Sequence, residues 1–237
     1  MSITSQHNRR LKEIRKLRMR RRWRERSQRF VAEGEDLLAA ADRAEWEPIE
    51  RYCATGSGLE GVEVEAGLLA SASGIASGTR ALAVYRERWA AEPSGPLCVY
   101  LHGVHDPGNV GAVLRAAEAF GAASVALGPG SSDPFGPKAV RASMGAIFTV
   151  PVAKAATIDI LPGTKIALVP DRGTPLRELE RAPEATVIVG VEREGLPQSI
   201  IEQADHAGRI PIKTNSLNAA MAATVALYEL AHRMQTR

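Results

Sequence analysis

Apolar positions fall into short runs separated by polar stretches that carry glycine and proline. In the second half of the chain such runs lie at 97–101, 124–127, 147–152, 165–169, 186–191 and 207–212. Between them are segments of helical period, such as Val110, Val113, Leu114, Ala117 and Phe120, with Gly121 placed to end the helix. This alternation predicts a largely parallel sheet covered by helices, with ligands beyond the carboxyl ends of its strands. The loops after Leu101, Val169, Val191 and Ile212 are then the places where chemistry belongs. Upstream, residues 30–38 read as a strand, a turn at Gly34 and a helix, followed by alternating apolar pieces as far as Tyr85, which makes a smaller α/β unit. Ala91-Glu92-Pro93-Ser94-Gly95-Pro96 has the composition of a junction, so units at 1–92 and 97–237 are expected.

A chain of 237 residues with 45% hydrophobic content can bury a sizeable core. No apolar run of about 18 residues is present, and the arginine-rich start has no apolar stretch behind it, so neither a membrane span nor a secretory signal is expected. Cys53 and Cys98 are the only cysteines, which suits a reducing, cytoplasmic setting and supplies no structural zinc set.

The net charge of +3 hides a sharp asymmetry. Residues 1–30 hold twelve Lys and Arg against Glu13 and Glu25, an excess of +10, residues 31–96 sum to −7, and the remainder is neutral. The basic segment carries only a thin apolar line at Leu11, Ile14 and Leu17, so it reads as a cationic helix whose natural partner is the phosphate backbone of a nucleic acid.

Three later segments carry candidate chemistry. In His102-Gly103-Val104-His105-Asp106-Pro107-Gly108-Asn109, Asn109 sits at or near a helix N-cap, and Gly111 shares a face with Arg115, leaving the guanidinium room. The two histidines have no acidic or cysteine cluster to complete a metal set, and Gly108 and Gly111 lack the full dinucleotide-loop spacing, so neither a metal nor that loop is expected. In the second segment, an apolar strand ends in Gly190-Val191-Glu192 and brings a carboxylate to the sheet edge. In the third, Ile210-Pro211-Ile212 runs through a short polar loop into Ser216-Leu217-Asn218 and then Ala219, Ala220, Ala222 and Ala223. Ser216 and Asn218 are placed to cap the helix, and the alanine face suits either close helix packing or a flat ligand.

Taken in order, Asn109-x-Gly111-x-x-x-Arg115, Gly190-x-Glu192-x-x-Gly195-Leu196, and Ile210-Pro211 followed by Ser216-Leu217-Asn218 resemble the three motifs of SpoU/TrmH-type RNA 2′-O-ribose methyltransferases of the SPOUT, or α/β-knot, superfamily. Lys138 to Ala146 and the stretch from Ile3 through Gly34 extend the resemblance over nearly the whole chain. The resemblance implies an α/β fold whose C-terminal domain is a trefoil knot with a parallel sheet, preceded by a small α/β RNA-binding domain. It also implies a homodimer whose active site combines both protomers, and S-adenosyl-L-methionine as cofactor. By position, Gly190, Ile210 and Leu217 would hold the cofactor, while Asn109, Arg115, Glu192, Ser216 and Asn218 would surround the reacting ribose. Val191 replaces the family's common asparagine, and the loop at 213–215 is short.

The activity implied is methylation of a ribose 2′-hydroxyl, with ribosomal RNA favoured over transfer RNA as the substrate. The competing reading is an RNA-binding protein that keeps the knotted dimer as a scaffold and does not bind the cofactor.

Overall fold

A computed structural model describes residues 2–73, 78–191, 194–214 and 216–235. The chain begins with helices α1 (Arg9–Met19) and α2 (Arg21–Ser27), then β1 (Arg29–Glu33), α3 (Glu35–Arg43), β2 (Glu50–Ala54), β3 (Val62–Val64), α4 (Ala66–Ser73) and β4 (Ala81–Arg86). These build a four-stranded sheet in the order β1-β4-β2-β3. The strand–turn–helix expected at 30–38 is present, and Gly34 supplies the turn at φ 104°, a backbone state that a side chain opposes.

The basic segment is not a free cationic helix. It breaks at Arg20, and the apolar line Leu11, Ile14 and Leu17 is fully buried against Val31, Tyr52, Val64, Leu69, Leu82 and Val84. Burying each of these three side chains contributes about 1.5–3 kcal/mol, so the segment is part of the small unit's core. The cations Arg9, Lys12, Lys16, Arg20, Arg21, Arg22 and Arg26 remain exposed.

The remainder continues as β5 (Leu97–Leu101), α5 (Pro107–Ala119), β6 (Ser124–Leu127), α6 (Pro137–Ala142), β7 (Val152–Lys154), β8 (Thr164–Leu168), β9 (Thr174–Pro175), β10 (Ala185–Val189), α7 (Gln198–Gln203), β11 (His206–Arg209) and α8 (Ala219–Gln235). Its seven-stranded sheet runs β7-β6-β5-β10-β8-β11-β9, and every pairing in it is parallel. The strand expected at 147–152 is corrected. Ala146–Phe148 form a 3-10 turn packed into the core, and the strand starts only at Val152. Side-chain alternation explains the two faces of the sheet. Leu97, Val99, Leu101, Val187 and Val189 pack under α5 and α8, while Cys98, Tyr100 and Ile188 face Ile158, Leu161 and Leu196.

The two sheets share one core across their seam. Phe30, Trp46 and Tyr85 of the first unit interlock with Phe135 and Phe148 of the second, and the Trp46 indole N–H donates to the Phe148 carbonyl at 2.8 Å. Arg24 from α2, itself buried, forms an ion pair with the mostly buried Asp133 at 2.7 Å. Glu33 lies buried between Arg18 and Arg141 of α6; burial raises its pKa more than the two arginines lower it.

Candidate active site

The strand order reverses around β10, which is inserted between β5 and β8. That is where an open parallel sheet leaves a crevice at its carboxyl edge. Three chain segments converge there. After β5, the amide of His102 donates to the Val189 carbonyl at 2.8 Å, which ties the first loop to the end of β10. After β10, the chain folds back at once, with the Gly195 amide donating to the Val191 carbonyl at 3.0 Å. After β11, Ile210 to Leu217 leads into α8, because β11 ends at Arg209 rather than extending to Ile212.

Between these loops lies a cavity of about 590 Å³, lined by Leu168 to Arg172, Val189 to Val191, Glu194 to Leu196, Ile210, Ile212, Ser216, Leu217, Ala219 and Ala222. A smaller hollow of about 240 Å³ is lined by Val104, His105, Asp106 and Asn109, and it shares Val191, Glu194 and Ala219 with the larger one. The two therefore share part of their walls. The alanine face of α8 serves both roles open to it in the sequence, since Ala219 and Ala222 line the cavity while Ala220 and Ala223 are packed in the core.

Gly190, Ile210, Leu217 and Ser216 line the large cavity, and Asn109 lines the small hollow. The Asn218 amide donates to Asn109 Oδ1 at 3.1 Å, and Asn218 Oδ1 accepts from the Ala220 amide at 3.0 Å, so Asn218 caps α8 and anchors Asn109 together. Ser216 is exposed and does not cap the helix. Glu192 lies outside the described residues. Arg115 is exposed on α5, lines neither hollow, and makes no hydrogen bond or ion pair with the described residues.

Two local expectations are corrected. Asn109 is not the N-cap: Asp106 is, accepting from the Gly108 amide at 2.7 Å, with Pro107 at the first helical position. The Asp-Pro pair was the available signal. Lys138 also holds Asp106 at 2.7 Å, and together with that amide lowers the carboxyl pKa. Nor does Gly111 clear room for Arg115. A Cβ there would lie 2.3 Å from the Ala139 carbonyl oxygen, so the glycine is needed for the close approach of α6. Gly190 is under a similar constraint, because a Cβ would lie 2.4 Å from the Gly195 carbonyl oxygen. Its smallness shapes the cavity wall through the fold-back of the loop.

Val191, in place of the family's common asparagine, puts a methyl group 3.3 Å from where a Cβ on Gly103 would stand. A side chain at position 103 would therefore press on Val191. His102 is partly buried beside Tyr100, which lowers its pKa by desolvation. Among the described residues no group of His, Cys, Asp and Glu is arranged to hold a metal. No helix there is long and apolar enough to cross a membrane.

The comparisons with known proteins agree with this architecture. The SpoU rRNA Methylase family model matches residues 96–228, and the MRM3-like substrate binding domain matches residues 8–86. The chain belongs to the SpoU rRNA methylase family. It is 33% identical over 135 residues to the 23S rRNA (guanosine(2553)-2'-O)-methyltransferase RlmP of Bacillus subtilis, which is 54% of each chain. Among the first curated relatives, the match spans 49% to 66% of the relative's own length. An AdoMet-bound rRNA methyltransferase from Sinorhizobium meliloti superimposes with a TM-score of 0.88 at 27% identity, over 100% of this chain and 99% of that one. An RNA 2'-O ribose methyltransferase gives a TM-score of 0.82 at 29% identity, over 100% of both chains.

Proposed function

We propose that this protein transfers a methyl group from S-adenosyl-L-methionine to a ribose 2′-hydroxyl of ribosomal RNA. The observation that carries the reading is the convergence of Gly190, Ile210, Ser216 and Leu217 on one cavity, with the linked Asn109–Asn218 pair at its edge. The cavity lies within the size range of small-molecule sites, and its apolar wall from Leu168, Val189, Leu196, Ile210 and Leu217 suits the body of such a cofactor. When bound, the cofactor supplies an electrophilic methyl group on a sulfonium.

The protein's own task is alignment and charge stabilisation. Asn218 fixes Asn109 and the head of α8 in one bond network, and Ser216 stands at the rim where a ribose would arrive. Arg115 offers a planar, multidentate guanidinium, so its role in this reading is to hold a phosphate and stabilise developing alkoxide charge. Calorimetry on the purified protein tests the reading. Saturable S-adenosyl-L-methionine binding supports the enzyme, and no binding at millimolar cofactor leaves the RNA-binding scaffold.

Because Arg115 lines neither hollow, it completes the site of a second copy in this reading, within a homodimer of knotted C-terminal domains. Supporting the dimer, Met221, Val225 and Tyr228 on α8 are large apolar side chains exposed at i, i+4 and i+7. Replacing Met221 and Val225 with Glu should yield a folded monomer by sedimentation with methyl transfer reduced at least about 100-fold, as expected when an aligned group is withdrawn. A dimer of undiminished activity would overturn this arrangement.

The unit at 1–92 is proposed to bind the RNA and the unit at 97–237 to carry out the transfer. Deleting the basic segment would remove core residues, so charge substitution is the cleaner test. Changing Arg20, Arg22 and Arg26 together to Gln should leave the fold intact and lower the slope of log affinity against log salt by about 2. An unchanged slope would remove these cations from the RNA contact.

A further inference from the structure

Lys138 to Ala146 is the motif that the proposed function leaves without a role. Its helix α6 ends at Ala142 with Ser143 as C-cap, and the next residue, Met144, adopts φ 51°. Among the described residues, three non-glycine positions hold this left-handed backbone, Gln28, Glu45 and Met144, each at the C-terminal end of a helix. Stopping a helix this way favours glycine or asparagine, and any other residue is tolerated at some cost. Gln28 and Glu45 are polar and exposed, so they sit in water without penalty. Met144 is 58% exposed, which adds the exposure of a large apolar side chain to an unfavourable backbone state. Neither the helix stop nor the core explains why the residue is methionine.

Its surroundings are specific. Gly111 of α5 is pressed against Ala139, Ala142 and Ser143, which places Met144 beside the α5 face on which Arg115 lies one turn further on. Gly145 lies against Ala40 of α3, so Met144 also stands at the seam between the two units. Arg141, three residues earlier, lies 4.0 Å from buried Glu33 and keeps a side chain that is 45% exposed, and Lys138, paired with Asp106 at 2.7 Å, keeps one that is 61% exposed, so both retain donors that face solvent. An apolar, polarisable tip therefore projects beside two partly exposed cations of its own helix.

We propose that Met144 is a specificity-determining contact for the RNA, packing its thioether side chain against the face of an unpaired nucleobase near the target ribose while Arg115, Arg141 and Lys138 take the phosphates. The surrounding cations select a polyanion as the occupant. Unpaired bases of RNA are splayed out and packed against side chains, and a thioether makes favourable contacts with aromatic rings such as a base offers. The inference rests on the proposed RNA substrate but not on methyl transfer itself.

The test uses Met144→Gly, Met144→Ala and Met144→Leu in the full-length chain, with ribosomal RNA transcribed in vitro so that it carries no modification. Because glycine suits φ 51°, Met144→Gly should keep or raise Tm. It should weaken RNA binding about five- to ten-fold, the scale of one lost base contact, with the salt slope parallel to wild type. Met144→Ala should weaken binding similarly, Met144→Leu should restore most of it, and KM for RNA should rise with kcat nearly unchanged. Wild-type affinity in both Gly and Ala variants, or losses that track a fall in Tm, would overturn the inference. If wild type binds RNA but transfers no methyl, the enzyme reading fails, while the affinity series still decides the role of Met144.

Discussion

Arg115→Ala should lower methyl transfer by roughly 10²–10³-fold while leaving S-adenosyl-L-methionine affinity and Tm where they are. The magnitude is that seen when one preorganised donor to a developing oxyanion is removed. The fold gives the prediction its separability. Arg115 is exposed and has no described partner, so its loss falls among surface substitutions that shift stability by no more than about 0.5 kcal/mol. It also lines neither hollow, so the cofactor cavity is left intact. Single-turnover transfer of labelled methyl to RNA, run beside calorimetry, separates the effects. A variant with normal turnover removes Arg115 from the chemistry, and one that loses cofactor binding shows that it shapes the cavity.

Asp133→Asn should lower the stability of the fold substantially. The substitution keeps an oxygen for the Phe135 amide, which Asp133 accepts at 2.9 Å, but leaves the buried Arg24 guanidinium without its counter-charge. Breaking one side of a buried pair costs about 3–5 kcal/mol, since the remaining charge is neither solvated nor neutralised. In a chain of this length each kcal/mol moves Tm by about 2–4 °C, so a fall of roughly 6–20 °C is expected by calorimetric melting. Arg24 also donates to the carbonyls of Leu17 at 2.6 Å and Arg18 at 3.2 Å, so the α1–α2 break should loosen and RNA affinity should fall with stability. A shift below about 2 °C would mean that the pair adds little to joining the two units.

What the sequence disclosed follows from which interactions are local. Parallel strands buried on both faces leave apolar runs in the text, so β5, β6, β8, β10 and β11 fall within a residue or a few of their expected positions. The run at 147–152 misled because a 3-10 turn buried in the hydrophobic core is as apolar as a strand. Leu11, Ile14 and Leu17 show the opposite failure. Three apolar residues among twelve cations look like a marginal stripe, and only the long-range partners Tyr52, Val64 and Leu82 make it core. The same holds for Arg24, which is indistinguishable in sequence from its exposed neighbours Arg22 and Arg26. At the site, motif order announced the cavity. The tightness around Gly111 and Gly190, by contrast, depends on backbone passing from elsewhere, at Ala139 and Gly195, and no spacing rule reports that.

The central claim is that this cavity delivers a methyl group to a ribose hydroxyl. Its most direct test is to incubate the protein with unmodified ribosomal RNA and methyl-labelled S-adenosyl-L-methionine, hydrolyse the RNA in alkali, and locate the label. A 2′-O-methyl group blocks cleavage at its own nucleotide, so the account predicts label confined to alkali-resistant dinucleotides, lost in Arg115→Ala. Label released as mononucleotides would place the methyl on a base, and RNA that remains unlabelled would remove the transferase activity altogether.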